Sequence, residues 1–257
     1  MKKDQLKRKL EYHYQAFDRN KISPDPIEFP KRFKNFFDIE ISAFLSSVFA
    51  YGNIKQIQSS LEKLHDVLGE SPYEFILNFK PGIKTSIQFK HRFYTVEDIE
   101  TLLKVLQKVY LNYGSLNYLF LLYYFPKDKN LKNSISFFSN NLIDLAGNSG
   151  ITNGIKFMFP DPLKGSACKR MNLFLRWMVR KDHIDFGLWK EIPTNQLVIP
   201  VDTHIAKIGR ELKLTRRKIV SWKMAEEITE NLKKFNPEDP VKYDFSLCHI
   251  GIRKMKF

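Results

Sequence analysis

The residues best suited to chemistry lie between Asp161 and Lys207, a segment that opens DPLKGSACKRMNLFLRWMVRK and includes VIPVDTHIAKIGREL. Six basic residues fall between Lys164 and Lys181 (Lys164, Lys169, Arg170, Arg176, Arg180 and Lys181), with no acidic one. Gly165 follows a proline-bearing loop, and an amphipathic helix is expected to begin near Ala167. A glycine turn that enters a helix offers unbonded backbone N–H groups and a favourable dipole to a phosphate. Lysine and arginine nearby would add affinity by releasing counterions. The competing reading is an ordinary basic helix with a solvated face. Against it, the stripe Met171, Phe174, Leu175 and Met178 already fixes which face is buried. Lys169 then falls in the first turn, beside the phosphate site. Further on, Asp202 precedes the stripe Ile205, Ile208 and Leu212 and is placed to cap that helix. A capping aspartate needs no other role, so a purely structural Asp202 stays open.

The elements that must position these residues are helical almost throughout. Ile41, Phe44, Leu45, Val48 and Phe49 repeat at helical spacing, with Asp38 ahead of them as the expected cap. Thr95 and Asp98 form a capping-box variant before Ile99, Leu102, Leu103, Leu106 and Tyr110. Leu131, Ile135, Phe138 and Leu142 make a further stripe, and helices are expected over Thr203–Leu212 and Ser221–Phe235. Gln196–Val201 is β-branched but broken by Pro200, which makes it an extended connector rather than a strand. Residues 146–153 and 159–164 read as loops. The expectation is an all-α protein of roughly ten helices, without repeats or low-complexity tracts.

With 257 residues and 43% apolar content, the chain can build a core without metals or disulfides. The 42 Lys+Arg against 28 Asp+Glu give a net charge of +14, which attracts polyanions; a lysine-rich bias that only aids solubility is the alternative. Cys168 and Cys248 form no CxxC, so neither a zinc site nor a disulfide framework is expected. The start, MKKDQLKRKLEYHYQ, is too polar for a signal peptide, and the apolar run Leu116–Phe125 is too short for a membrane span. A cytoplasmic location is expected.

Leu163-Lys164-Gly165-Ser166-Ala167-Cys168-Lys169, followed by Val201-Asp202-Thr203-His204, resembles the signature of the helix-hairpin-helix base-excision DNA glycosylases. That signature is a hairpin of form L-P-G-V-G-x-K, a helix, and then V-D-T-H. The resemblance extends to Glu40–Leu64, similar to the family's early helix with its duplex wedge, to Phe93–Leu116 ahead of the hairpin, and to the closing helix at Val241–Ile252. The AYGN, KGSACKR and DTH stretches resemble a bacterial branch without the iron–sulfur cluster that many relatives carry on four cysteines. Departures are Lys164 for proline, Ser166 for the apolar residue and Ala167 for the second glycine. The Lys169–Asp202 interval, 202 − 169 = 33 residues, is long and similar to that of the archaeal 8-oxoguanine branch.

The resemblance implies a two-lobed helical fold. One lobe is expected over 36–182, ending in the hairpin and its helix. The other is expected over 1–35 plus 183–257, carrying the aspartate. It implies an N-glycosylase with Schiff-base lyase activity on a damaged base, with an oxidised purine indicated by the interval. Lys169 would attack the sugar and Asp202 would assist, with a phosphate-contacting lysine as the competing role. Repulsion from Arg170 and Lys164 would help to neutralise the amine. DNA contacts are expected from Lys164, Gly165, Ser166, Ala167, Arg170 and Asn53. Tyr51 is expected either as the wedge or as a core aromatic, and His204 either as a strand contact or as packing. Trp177 and Trp189 are candidates to stack on an everted base, or are core. The partner would be double-stranded DNA, bound by a monomer at the nucleoid with no metal and no cofactor. The alternatives are a non-catalytic hairpin protein that only binds nucleic acid, and a helical adaptor whose charge is incidental.

Overall fold

The computed structural model describes residues 3–16, 22–80, 82 and 91–252, with side chains through 250 except at 149. The outermost parts of the expected lobes, at 1–2, 17–21 and 253–257, and the stretch at 81 and 83–90 lie outside these residues. The fold is all-α. Among the described residues the helices are α1 (Lys3–Ala16), α2 (Phe36–Phe49), α3 (Ile54–Leu68), α4 (Pro72–Leu77), α5 (Val96–Tyr113), α6 (Leu116–Leu121), α7 (Lys132–Ala146), α8 (Asn153–Met158), α9 (Lys169–Val179), α10 (Thr203–Glu211), α11 (Trp222–Lys233) and α12 (Asp244–Ile252). Short 3₁₀ turns join several of them, and the only extended pairing among the described residues is two isolated bridges, His91–Tyr94 and Lys181–Phe186. No helix among these residues is long and apolar enough to cross a membrane.

The chain divides into two compact units. One comprises 1–20, 126–132 and 162–257, and the other 21–125 and 133–161. This differs from the expected boundary after residue 182. The 162–168 turn and α9 belong with α10–α12, and backbone bonds supply the reason. Phe186 N–H donates to Trp177 O at 2.9 Å, and Trp189 N–H donates to Met178 O at 2.8 Å, so the chain after α9 folds straight back onto it. The 126–132 segment is stitched to the same unit, because the Gln196 side-chain amide donates to the carbonyls of Pro126 and Asp128 at 3.1 and 2.6 Å.

In the 21–125/133–161 unit the expected Thr95–Asp98 capping box opens α5. Asp98 also accepts the Thr152 hydroxyl, and a Cβ on Gly154 would overlap its carboxylate, so this position of α8 requires glycine. The cap of α2 is Asn35, whose Oδ1 accepts Phe37 N–H at 2.8 Å, and not Asp38. Asp38 lies inside the first turn, where it accepts Tyr73 N–H at 2.8 Å and the Ser71 hydroxyl at 3.2 Å, tying α4 to α2. Glu40 is buried and accepts the Tyr110 hydroxyl and the N–H groups of Leu116 and Asn117 at 2.6, 3.0 and 3.1 Å, which satisfies the start of α6.

His65 on α3 is buried against the rings of Phe29 and Phe33. Its Nδ1 donates to Leu61 O at 2.8 Å, which leaves Nε2 to accept the Ser42 hydroxyl at 2.7 Å. Burial pushes its pKa down from 6.5 to about 4. Between those values the unfolded chain binds a proton that the folded state refuses. Stability is therefore complete above about pH 6.5 and falls as the pH drops toward 4, by about 3 kcal/mol in total. Thermal melts across this range should show the decline, and His65→Gln should flatten the part due to this residue. An unchanged profile in His65→Gln would refute the assignment.

Candidate active site

The turn that leads into α9 is built on one left-handed glycine. Pro162–Lys164 form a 3₁₀ turn, Gly165 N–H donates back to Pro162 O at 3.0 Å, and Gly165 takes φ +91°. A Cβ there would meet open space, so the requirement for glycine comes from the backbone angle alone. Ser166 is half-buried and its Oγ accepts Cys168 N–H at 3.2 Å; Ala167 is buried. Cys168 adopts φ 45° and ψ 40°, and its side chain makes no capping bond. The helix therefore begins at Lys169, two residues later than the expected start near Ala167. Lys164 and Gly165 are exposed at the turn.

Asp202 caps α10. Its Oδ1 accepts the N–H groups of His204 and Ile205, both at 2.9 Å. That leaves Oδ2 to face Lys169, whose Nζ lies 3.4 Å away. The two side chains are 34% and 18% exposed respectively, so the pair is reachable from solvent but not bathed in it. Structural cap and lysine partner are thus one carboxylate using different oxygens. The 33-residue interval between the two positions is closed by extended, buried chain at Leu197–Val201 leading into α10.

Behind the pair runs a buried ionic network that the sequence did not suggest. Arg176, two turns along α9 from Lys169, binds Asp244 of α12 and Asp185, the latter at 3.2 Å. Arg180 binds Asp185, and also Asp182 and Asp239 at 3.1 and 2.9 Å. Burial pushes the Asp244 carboxyl up to about 6 against the pull of Arg176, and the charge of Asp202 adds to that rise. Burial likewise pushes Asp185 up. α12 packs on α10, so the helix capped by Asp202 rests on the element that carries Asp244.

Residues 25–253 match the family described as "Protein of unknown function (DUF2400)". The chain belongs to that family. No curated protein and no solved structure matches it. The DUF2400 match takes in the Gly165 turn, Lys169, Asp202 and Asp244 as well as Tyr51, and begins after α1.

The other expected site residues divide sharply. His204 is exposed in the first turn of α10, two residues from Asp202, so the packing alternative does not apply. Arg170 is buried, at 7% exposure, and is not displayed to a phosphate as expected. Trp177 and Trp189 are both 0% exposed, and Trp189 packs edge-on against Phe174 with centroids 5.1 Å apart. Neither ring can stack on an everted base, because rings closed off by core packing have no face to offer. Tyr51 and Asn53 belong to the other unit. Tyr51 is half-buried, packed against Phe157 at 4.8 Å, with the Arg92 guanidinium 4.5 Å over its ring and its carbonyl bonded to the His91 imidazole at 3.0 Å. Asn53 is exposed and caps α3 through Lys55 N–H at 2.9 Å. Among the described residues, no group of three or more His, Cys, Asp or Glu could hold a metal ion.

An amine facing a carboxylate, beside an exposed glycine turn at a helix start, can do two things. The turn can hold an anion. The amine, once its proton passes to the carboxylate, can attack an electrophilic carbon.

Proposed function

We propose that this protein is a DNA N-glycosylase with lyase activity, acting in base-excision repair through Lys169 and Asp202. The observation that carries the reading is the 3.4 Å approach of Lys169 Nζ to the one Asp202 oxygen that the α10 cap leaves over. Binding alone would not require that carboxylate. The resemblance of the hairpin and VDTH residues to the helix-hairpin-helix glycosylases supplies the substrate class, a damaged base in duplex DNA. An oxidised purine is the first candidate, from the length of the Lys169–Asp202 interval. The protein acts as a monomer in the cytoplasm, at the nucleoid.

In this reading the hairpin turn at Gly165 and the Lys164 side chain hold a phosphate. The damaged nucleotide is turned out of the stack. Asp202 Oδ2 takes a proton from Lys169 Nζ. The amine then forms a bond to C1′ as the C1′–N bond to the base breaks, and the departing base keeps that electron pair. Ring opening gives an imine between Nζ and C1′. Loss of the C2′ proton to a base then expels the 3′ phosphate, and water releases the enzyme.

The test is reductive trapping. Incubation with duplex DNA containing an abasic site and borohydride should give a covalent amine adduct, and Lys169→Ala should abolish it. DNA binding without an adduct would overturn the enzymatic reading in favour of a hairpin protein that only binds. No salt-dependent DNA binding would overturn both and leave a helical adaptor.

A further inference from the structure

The chain that leaves α10 returns to the hairpin. Lys213 adopts a left-handed φ of 59°, and the N–H groups of Leu214 and Thr215 both donate to Gly209 O, at 2.8 and 3.3 Å. Glu227 of α11 then holds the loop from beneath. It accepts the Thr215 hydroxyl at 3.1 Å, Arg216 N–H at 3.4 Å and the Arg217 guanidinium at 2.8 Å. At the far end, Trp222 N–H donates to Gly165 O at 3.0 Å, which fastens the loop to the glycine turn itself.

This anchoring displays what it does not bury. Residues 216–220, RRKIV, are all exposed, and no acidic residue occurs from 212 to 225. Glu227 balances Arg217. Among the described residues, the side chains of Arg216 and Lys218 enter no ion pair. Ile219 is 79% and Val220 40% exposed, beside the turn where Leu163 is also exposed. Other apolar side chains are also exposed on this molecule, but here one is set among unpaired cations, an arrangement that suits a nucleic-acid backbone: phosphates take the cations and the sugar edges of a minor groove take a small apolar side chain.

We propose that the 213–220 loop is a second contact for duplex DNA. Arg216 and Lys218 bind phosphates, and Ile219 lies against the deoxyribose edge of the minor groove. Together they prolong along the strand the grip that begins at Gly165. The proposal rests on the DNA-repair reading for its ligand, but not on the chemistry of Lys169.

The test measures binding of an abasic-site duplex as a function of KCl concentration. Each phosphate contact contributes a slope of about 0.9 in log affinity against log salt, so Arg216→Ala/Lys218→Ala should flatten the slope by about 2 and weaken binding roughly 60-fold at about 0.1 M KCl, less at higher salt. Lys7→Ala/Arg8→Ala, the same charge change on the exposed side of α1, should bind as wild type. Ile219→Ala should weaken binding without altering the slope, since an apolar contact releases no counterions. The borohydride adduct at saturating DNA should persist in every variant. A wild-type slope in Arg216→Ala/Lys218→Ala, with the adduct still formed, overturns the loop contact and leaves the glycosylase reading intact. A flattened slope in a protein that forms no adduct supports the loop and overturns the chemistry. If the wild-type protein does not bind the duplex, both fall. Preferential binding of an acidic peptide over the duplex would also overturn the proposal.

Discussion

Asp202→Asn should leave the fold almost untouched and remove most of the proposed lyase activity. Asparagine caps a helix about as well as aspartate, so the bonds to His204 and Ile205 N–H survive and stability should change by no more than about 1 kcal/mol, including the partly exposed ion pair. What disappears is the carboxylate charge at Oδ2. An amide cannot take the proton from Lys169, so single-turnover cleavage of damaged DNA should slow by roughly 10² to 10⁴-fold. Asp202→Ala should lose both, adding the cost of an uncapped helix, about 1 kcal/mol. The comparison separates the two roles of one residue. Equal activity in wild type and Asp202→Asn, with reduced stability in Asp202→Ala, would make Asp202 a cap and nothing more.

The largest effect on stability is expected at Arg176. Replacing it with methionine keeps an apolar side chain of similar length but leaves Asp244 without its guanidinium, and Asp185 with Arg180 alone. Breaking a buried ion pair from one side costs about 3–5 kcal/mol, which for a chain of this size lowers Tm by roughly 10 °C. The loss should depend on pH. Asp244 already holds its proton up to about 6, against 3.8 when exposed, so the folded state keeps a proton that the unfolded chain releases. Raising the pH through that range erodes stability. Without Arg176 the carboxyl must rise further, so Arg176→Met should be hurt more at pH 8 than at pH 5. Adding Asp244→Asn should recover part of the loss at pH 8. Equal losses at both values, measured by thermal melts, would show that Asp244 does not carry the effect.

These two cases also mark where the sequence was legible. The Thr95 box, the Asp202 cap and the apolar stripes are local patterns, and the structure carries them as helices. The approach of Lys169 to Asp202 was open to expectation because both fall in recognisable stretches. The basic run from Lys164 to Lys181 is displayed only in part. Arg170, Arg176 and Arg180 are buried, and the counterions of Arg176 and Arg180 are Asp182, Asp185, Asp239 and Asp244, all beyond the end of the run. A window that sees six cations and no anion cannot anticipate partners supplied by the turn just beyond it and by α12 and its approach. The tryptophans failed for a related reason: a large aromatic suits a stacking face and a core equally, and only the packing around it decides. Asp38 shows the same limit on a smaller scale, since Asn35 took the cap and freed it to bond α4.

The division of labour within the Asp202 carboxylate has a thermodynamic corollary. Two amide hydrogens hold one oxygen in place, so the torsions that aim the other toward Lys169 are frozen when the protein folds. If Lys169 reacts as proposed, a ligand arriving at the amine finds its proton acceptor already oriented and need supply no ordering entropy to recruit it. The rotational freedom that a loose aspartate would surrender at each encounter has here been given up once, with the winding of α10.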